Sequence, residues 1–202
     1  FRAFLDSRPD VLAARDLRTT ADAVVSAARA KRGVVLLLGG HVIKVGLGPL
    51  VADWIRRGIG THVAMNGAAA IHDFELAAFG GTSEDVAAGL GDGTFGMAEE
   101  TGREMNAAIS AAARDHRGMG EGLALYMSAR PERPGDEVSV LLACHRQGIP
   151  VTVHTAVGAE IIHQHPAADG AAMGATSQRD FLRLAGSLPD IDQGGVVMNW
   201  GS

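Results

Sequence analysis

The chain has 202 residues and a mass of 20.9 kDa, which predicts a single domain. Its 18 Lys and Arg residues against 23 Asp and Glu residues give a formal net charge of −5. This balance argues against nucleic acid as a partner, because such binding depends on clustered cations. A hydrophobic fraction of 47% excludes a disordered chain, and no apolar run reaches the roughly 18 residues that a membrane helix needs.

Two further features concern the cell compartment and the ends of the sequence. The single cysteine, Cys144, cannot form an internal disulfide, so we expect a cytoplasmic protein. The sequence starts at Phe1 rather than Met, and it ends at Ser202 directly after an apolar run. We therefore expect residues 1–202 to be one α/β domain of a longer protein.

Short apolar runs and helical spacings alternate along the chain. Continuous apolar runs at 34–38, 62–65, 150–153 and 196–198 predict buried parallel strands. Helical patterns cover 20–30, 48–57, 83–90, 97–114, 122–128, 137–147 and 177–188, and the third of these opens on the cap-like residues 82–85. The alternation predicts a doubly wound, mainly parallel sheet with helices on both faces.

Small or polar residues follow each predicted strand. Ligands of doubly wound folds bind outside the carboxyl ends of the strands, so these residues predict a cleft the size of a cofactor. They are Gly39, Gly40, His41, Asn66, Gly67, His154, Thr155, Asn199, Gly201 and Ser202. The glycine-rich segment 39–48 predicts a turn after the first strand, but it matches neither the dinucleotide fingerprint nor the phosphate-binding loop.

The segment 66–75 is the densest in residues that carry chemistry. Small residues here allow a ligand to approach the backbone, and the start of a helix offers amide donors to an anion. His72, Asp73 and Glu75 follow, and a histidine beside carboxylates suits proton transfer or the capture of a cationic amine. We predict that these three residues are catalytic, although acidic side chains at a helix start can also serve the helix alone.

A second cluster contains His154, Glu160, His163 and His165. Its spacing does not match the helical His-Glu-x-x-His arrangement of zinc enzymes, and His163 and His165 would diverge on a helix. We predict that these residues bind substrate rather than metal. Hydrogen bonds to the loop backbone and a zinc hydrolase site built on the three histidines are the alternatives.

The remaining charged candidates are two lysines and a group of acids. Lys31 precedes a strand, whereas Lys44 follows one and is the candidate for a lysine nucleophile, with a solvated lysine as the alternative. Acidic residues are frequent between 84 and 104. They form either a solvated face or an acidic rim that attracts a polyamine.

Several of these motifs resemble a known family. Leu37-Leu38-Gly39-Gly40-His41, the run 62–75, the run 148–154 and the run 195–202 are similar to segments of deoxyhypusine synthase. Asn-Gly-Ala-x-Ala-Ile-His-Asp-Phe-Glu, Thr-Ser-Glu-Asp-Val and His-Gln-His-Pro-x-x-Asp-Gly-Ala are typical of the bacterial deoxyhypusine synthase-like proteins. The resemblance covers about residues 34–202.

The resemblance implies a Rossmann-like fold and a homotetramer with active sites between subunits. It implies that NAD binds along 39–41, 66–67, Thr155 to Gly158 and 199–202. It also implies oxidation of spermidine or a related polyamine, then aminoalkyl transfer through an imine on a lysine to a protein lysine acceptor. The family's lysine belongs to a Trp-Gly-Lys motif absent from these 202 residues, and His72 and Asp73 stand where the family has two glutamates.

A second resemblance concerns the same run of residues. The Asn-Ala-x-Ala-x-His-Asp-x-Glu style of motif is similar to the NAD-binding, ornithine cyclodeaminase-type domain of bacterial arginine-degrading proteins. Both resemblances imply an NAD-dependent enzyme acting on an amine. A protein that binds NAD without catalysis, or a structural oligomer, is the alternative class.

Overall fold

A computed structural model describes residues 11–82 and 86–201, together with Ala3, Ser7 and Pro9. Within them, four strands form one parallel sheet in the order β3-β2-β1-β4. The strands are β1 (Val34–Leu38), β2 (His62–Asn66), β3 (Val151–His154) and β4 (Val196–Trp200). All four predicted strands are confirmed to within two residues at each end, and with them the doubly wound α/β class.

Helices fill the connections between the strands. They are α1 (Leu12–Arg29), α2 (Gly40–Lys44), α3 (Gly48–Arg56), α4 (Gly67–Phe79), α5 (Val86–Asp92), α6 (Glu99–Arg114), α7 (Met119–Ala129), α8 (Val140–Gln147) and α9 (Gly170–Ser187). Short 3-10 turns cover Pro134–Val138, Ile161–Gln164 and Leu188–Ile191. The predicted helix start at Ser83, Glu84 and Asp85 lies outside the described residues.

The largest differences from the predicted helices are at α1, α9 and α2. Helix α1 starts eight residues before the predicted position 20, and α9 starts seven residues before the predicted position 177. Helix α2 occupies a segment that the glycines had marked as a turn. Gly40 is buried there, and a Cβ on it would lie 3.0 Å from the Cβ of Ala68, so this glycine permits close packing of α2 on α4.

The two faces of the sheet are covered to different extents. On one face the side chains are buried along the strands, as with Leu36, Met65 and Val153. On the other face the amino half is buried in β1, β2 and β3, with only Val197 of the edge strand β4 exposed, whereas the carboxyl half is open. There, by strand register, lie the half-buried Leu37 and His154 and the exposed Asn66 and Asn199. Because parallel strands are normally covered on both faces, this open half is a candidate floor for a ligand.

Two buried aspartates attach helices to the sheet. Asp73 of α4 accepts hydrogen bonds from the Ser139 hydroxyl (2.6 Å) and from the amides of Val140 (2.8 Å) and Leu141 (3.0 Å), the first amides of α8. Asp180 of α9 accepts from the amides of Gly120 (2.9 Å) in α7 and Val153 (2.7 Å) in β3. Burial raises the pKa of both carboxyls, that of Asp180 to about 6.

None of the described helices combines the length and the apolar character that crossing a lipid bilayer would require.

Candidate functional site

A cavity of about 180 Å³ opens at the carboxyl edge of the sheet, beside the first turns of α4. Its apolar lining comes from Ala68, Ile71, Phe95, Ala159 and Ile161. Its polar lining comes from Lys44, His72, Glu75, Thr82 and Glu160. A mostly apolar cavity with a few convergent polar groups is the usual form of a small-molecule site.

His72 and Glu75 form a pair in the wall of this cavity. They lie one turn apart on α4, and Nδ1 of His72 is 3.6 Å from Oε2 of Glu75. The Glu75 side chain is 1% exposed, and its Oε1 accepts a hydrogen bond of 3.0 Å from the buried hydroxyl of Thr101 in α6. This arrangement fixes the carboxylate, and the carboxylate in turn faces the imidazole.

Thr101 is a site residue that the sequence did not reveal. It lies 26 residues after Glu75, and its side chain reaches the carboxylate only because α6 packs against α4. No spacing rule within one helix or strand connects the two positions. A threonine one turn into a helix that starts at Glu99 carries no distinctive signal by itself.

Asp73 does not share the cavity with His72 and Glu75. Two residues along a helix correspond to a rotation of about 200°, so Asp73 and Glu75 point to different sides of α4. Both oxygens of Asp73 are engaged by Ser139 and the first amides of α8. The predicted catalytic role of Asp73 does not fit this placement, and the residue caps a neighbouring helix instead.

The amide groups at the start of α4 are covered by a carboxylate of the chain itself. A Cβ on Gly67 would lie 2.2 Å from the carboxyl carbon of Glu160, so the Glu160 carboxylate rests directly on this glycine. The amides of Ala156 (3.1 Å) and Gly67 donate to Glu160. Burial raises the pKa of Glu160, and these two amides oppose the shift. The predicted anion site at Gly67 is therefore filled by Glu160, one of the four predicted substrate-binding residues.

Two histidines of that cluster, His163 and His165, form hydrogen bonds within the loop between β3 and α9. Nδ1 of His163 accepts from the amides of Gly158 (3.0 Å) and Glu160 (3.3 Å), and its Nε2 lies 2.8 Å from Oε2 of Glu160. Nδ1 of His165 accepts from the amide of Ala167 (3.1 Å), and its Nε2 lies 3.0 Å from Oε2 of Glu99 in α6. Neither histidine lines the cavity, and both bond to backbone amides of the loop, as the alternative to substrate binding predicted.

The histidines also do not gather around one point. His163 turns to Glu160 and His165 to Glu99, whereas Nε2 of His154 bonds to the hydroxyl of Thr152 at 3.0 Å. Among residues 11–82 and 86–201, no group of three or more His, Cys, Asp or Glu side chains has a geometry that could hold a metal ion.

The predicted cofactor residues fall into two groups. Gly39, Gly40, His41, Asn199 and Gly201 lie near β1 and β4. Strand β1 pairs with both β2 and β4, so the chain reverses its direction of travel across the sheet there. This position is the topological switch point at which α/β folds bind nucleotides.

The second group lies at the ends of β2 and β3 and is engaged by the protein. The Asn66 side chain accepts from the amide of Ala69 at 2.9 Å and so caps α4. The amide of Thr155 donates to Ser177 (3.1 Å), and that of Gly158 donates to His163. Ser202 lies outside the described residues.

Comparisons with known proteins show the fold. No protein-family model and no curated protein matches the sequence. Among solved structures, the arginine dihydrolase ArgZ from the ornithine-ammonia cycle in cyanobacteria superimposes on 95% of this chain with a TM-score of 0.53 at 15% identity. An AgrE mutant bound to L-arginine superimposes on 97% with a TM-score of 0.52 at 16% identity.

A third solved structure is a candidate deoxyhypusine synthase from Entamoeba histolytica. It superimposes on 85% of this chain with a TM-score of 0.52 at 15% identity. The chain spans 25%, 26% and 60% of the lengths of ArgZ, the AgrE mutant and this protein. At these identities the likeness is one of fold, and it agrees with the Rossmann-like architecture expected from the sequence.

Proposed function

We propose that this chain is a domain of an NAD-dependent enzyme that acts on an amine, with spermidine or a related polyamine as the first candidate substrate. The observation that carries the proposal is the buried Glu75, fixed by Thr101 beside His72 in a mostly apolar cavity. Two carboxylates, Glu75 and Glu160, line this cavity and give it affinity for an ammonium group.

Oxidation of an amine requires a proton acceptor next to the bound ammonium group. An ammonium group must lose its proton before the adjacent carbon can give up a hydride. The apolar walls disfavour the charged form of the amine, and the imidazole of His72 accepts its proton. Glu75 stabilises the imidazolium that results, and Thr101 keeps Glu75 in position.

NAD is the proposed cofactor, and when bound it supplies the hydride acceptor. Gly39, Gly40, His41, Asn199 and Gly201 at the switch point, together with the open floor at Asn66, fit a nucleotide. The first amides of α4 do not fit a pyrophosphate while Glu160 covers them. The proposal therefore omits Gly67, Thr155 and Gly158 from the cofactor site.

The substrate and acceptor are extensions of the same proposal. Aminoalkyl transfer to a protein lysine, within a homotetramer, follows from the deoxyhypusine synthase-like motifs. Oxidation of an amino-acid amine follows from the ornithine cyclodeaminase-type motif. The first reaction takes a polyamine and the second an amino acid such as ornithine, so binding separates them.

Calorimetric titration tests the proposal. Purified protein is titrated with NAD, then with spermidine or ornithine in the presence of NAD. We expect one of the two amines to bind. Glu75→Gln should lower the affinity for that amine by roughly 10-fold or more, because a charge-assisted hydrogen bond is worth about 1.5–3 kcal/mol. Glu132→Gln, which removes an exposed carboxylate outside the cavity, is the matched control and leaves the affinity unchanged.

The same titrations contain the outcomes that reject the proposal. Equal amine affinity in the wild type and in Glu75→Gln would remove the cavity as the amine site. An absence of NAD binding would reject the cofactor and leave a protein that binds amines without oxidising them.

A further inference from the structure

Four polar side chains form a continuous chain of hydrogen bonds across β2, β3 and α9, with a buried centre and half-buried ends. His62 is 0% exposed, and its Nδ1 lies 2.7 Å from the Ser187 hydroxyl. Its Nε2 lies 3.0 Å from the hydroxyl of Thr152, which is also 0% exposed. The same hydroxyl lies 3.0 Å from Nε2 of His154. The chain thus runs from the last residue of α9 to the carboxyl end of β3.

One further contact determines which group donates and which accepts at each step of this chain of hydrogen bonds. The Ser187 hydroxyl donates to the carbonyl of Arg183 at 3.4 Å, and a hydroxyl has only one proton to donate. We assign the hydroxyl proton of Ser187 to this carbonyl, so Ser187 accepts from Nδ1–H of His62. Nε2 of His62 carries no proton in that tautomer, so it accepts from the Thr152 hydroxyl. The Thr152 oxygen in turn accepts from Nε2–H of His154.

Both histidines are suited to remain neutral in this arrangement. Burial, together with the neighbouring Arg183 and His154, lowers the pKa of His62 to about 4. Burial also lowers the pKa of His154. A neutral imidazole has one donor and one acceptor nitrogen, so a partner that accepts from one nitrogen determines the role of the other.

We propose that this one-way chain holds His154 in its Nε2–H tautomer and keeps its Nδ1 as a hydrogen-bond acceptor for an N–H group of a bound molecule. His154 is half-buried on the open half of the sheet, in register with the exposed Asn66. Within the described part of the chain, its Nδ1 has no hydrogen-bond partner. His62, Thr152 and Ser187 act as positioning residues.

The identity of the bound molecule rests on the proposed function, whereas the tautomer of His154 does not. This separation lets one experiment distinguish the two. The measurement is the pair of imidazole 15N resonances of each histidine in the free protein, assigned through a His154→Gln variant. We expect His154 to show a protonated Nε2 and an unprotonated Nδ1, and His62 to show the opposite pattern.

Two variants test whether the chain causes this pattern. Thr152→Val removes the hydroxyl, and we expect His154 to lose its single tautomer and show a mixture; Thr152→Ser keeps the hydroxyl and the pattern. Ser187→Ala acts at the far end of the chain, on a half-buried helix terminus where alanine preserves folding. It removes the contact that fixes the direction, so His154 again becomes mixed although it does not touch Ser187.

The opposite tautomer of His154 in the wild type, or an unchanged pattern in Thr152→Val and Ser187→Ala, would overturn the proposal. NAD and spermidine are then added in turn, and saturation by one of them shifts the Nδ1 resonance. A ligand that binds by calorimetry without shifting Nδ1 would overturn the acceptor role. If neither ligand binds, the proposed function fails while the tautomer result stands.

Discussion

Asp73 and Glu160 both place a carboxylate against the first turn of a helix, yet the two regions differ in what surrounds that carboxylate. Asp73 projects from α4 into the core and accepts three hydrogen bonds of 2.6–3.0 Å at the start of α8. Glu160 projects from the loop after β3, whose residues 156–159 are exposed, and lies at the start of α4.

The difference separates a carboxylate enclosed in the core from one that lines a cavity. A carboxylate whose oxygens are engaged by buried amides, as with Asp73, cannot exchange partners without exposing those amides. Glu160 accepts from the amides of Ala156 and Gly67, and its Oε2 lies 2.8 Å from Nε2 of His163, but its side chain also lines the cavity with His72 and Glu75. The same side-chain chemistry therefore caps a helix in the core at Asp73 and lines a cavity at the start of α4 at Glu160.

The largest effect is expected at Asp73. Asp73→Ala leaves two buried amides of α8 without acceptors, so we expect the free energy of unfolding to fall by roughly 3–5 kcal/mol. Ser139→Ala removes the cap on the amide of Leu142 and one hydrogen bond to Asp73 but leaves both amide bonds of Asp73, so it should lower the free energy of unfolding by only about 1–2 kcal/mol. Urea denaturation measures both, and similar losses in the two variants would contradict an anchoring role for Asp73.

Asp180, the second anchor, is expected to couple stability to pH. Its folded-state pKa of about 6 lies above its ordinary 3.8, so its contribution is present at low pH and is lost as pH rises from about 4 to 6. His62 has the opposite sign: its folded pKa of about 4 lies below 6.5, so stability is lost as pH falls through that window. Each shift is worth on the order of 3 kcal/mol, and the two oppose one another.

Single substitutions at Asp180 and His62 separate the two opposed effects of pH on the free energy of unfolding. Asp180→Asn keeps an oxygen for the amides of Gly120 and Val153. Its free energy of unfolding should rise with pH, because only the effect of His62 remains. In His62→Gln the free energy of unfolding should fall with pH, because only the effect of Asp180 remains. Denaturation at pH 4, 5, 6 and 7 tests both, and parallel curves for the wild type and both variants would refute the assignment.

Glu160 is expected to affect binding more than stability. Glu160→Gln retains an acceptor for the amide of Ala156 and removes the negative charge that faces the start of α4 and Nε2 of His163, and the helix-start part is worth up to about 1 kcal/mol. Loss of that charge from the cavity should weaken amine binding by roughly fivefold. A result in which stability falls as far as in Asp73→Ala would erase the distinction between the two carboxylates.

The smallest effect is expected at Lys44, which lines the cavity from the end of α2 and is exposed. Its ammonium opposes a cationic substrate, so Lys44→Met should strengthen amine binding by about two- to threefold, and high salt should remove the difference. Lys31→Met, at the amino edge of the sheet, is the control and should have no effect. Complete loss of binding in Lys44→Met would indicate a lysine that contacts the substrate instead.

The sequence predicted the sheet well because buried parallel strands produce continuous apolar runs. The strands at 34–38 and 196–198 were predicted correctly from their own residues, without knowing which strands they pair with. The turn predicted at α2 was wrong. Gly39 and Gly40 are typical of a turn, but the contact of Gly40 with Ala68 requires a small residue inside a packed helix.

The site was harder to predict because its contacts join distant segments. His72, Glu75 and Glu160 were identified from local patterns and line one cavity. Asp73 was grouped with them because proximity in sequence does not show which side of a helix a residue faces. Thr101 was missed because its role depends on helix packing, and His163 and His165 were assigned to substrate because loop hydrogen bonds leave no sequence pattern.

The contact between Gly67 and Glu160 also constrains how this protein can evolve. Any side chain at position 67 would collide with the Glu160 carboxylate, since even a Cβ would lie 2.2 Å from its carboxyl carbon. Alanine at position 67 requires the Glu160 side chain to move away or to be shortened, whereas a shorter residue at position 160 requires no change at Gly67. A substitution at position 160 is therefore expected to precede or accompany one at position 67 in a reconstructed lineage.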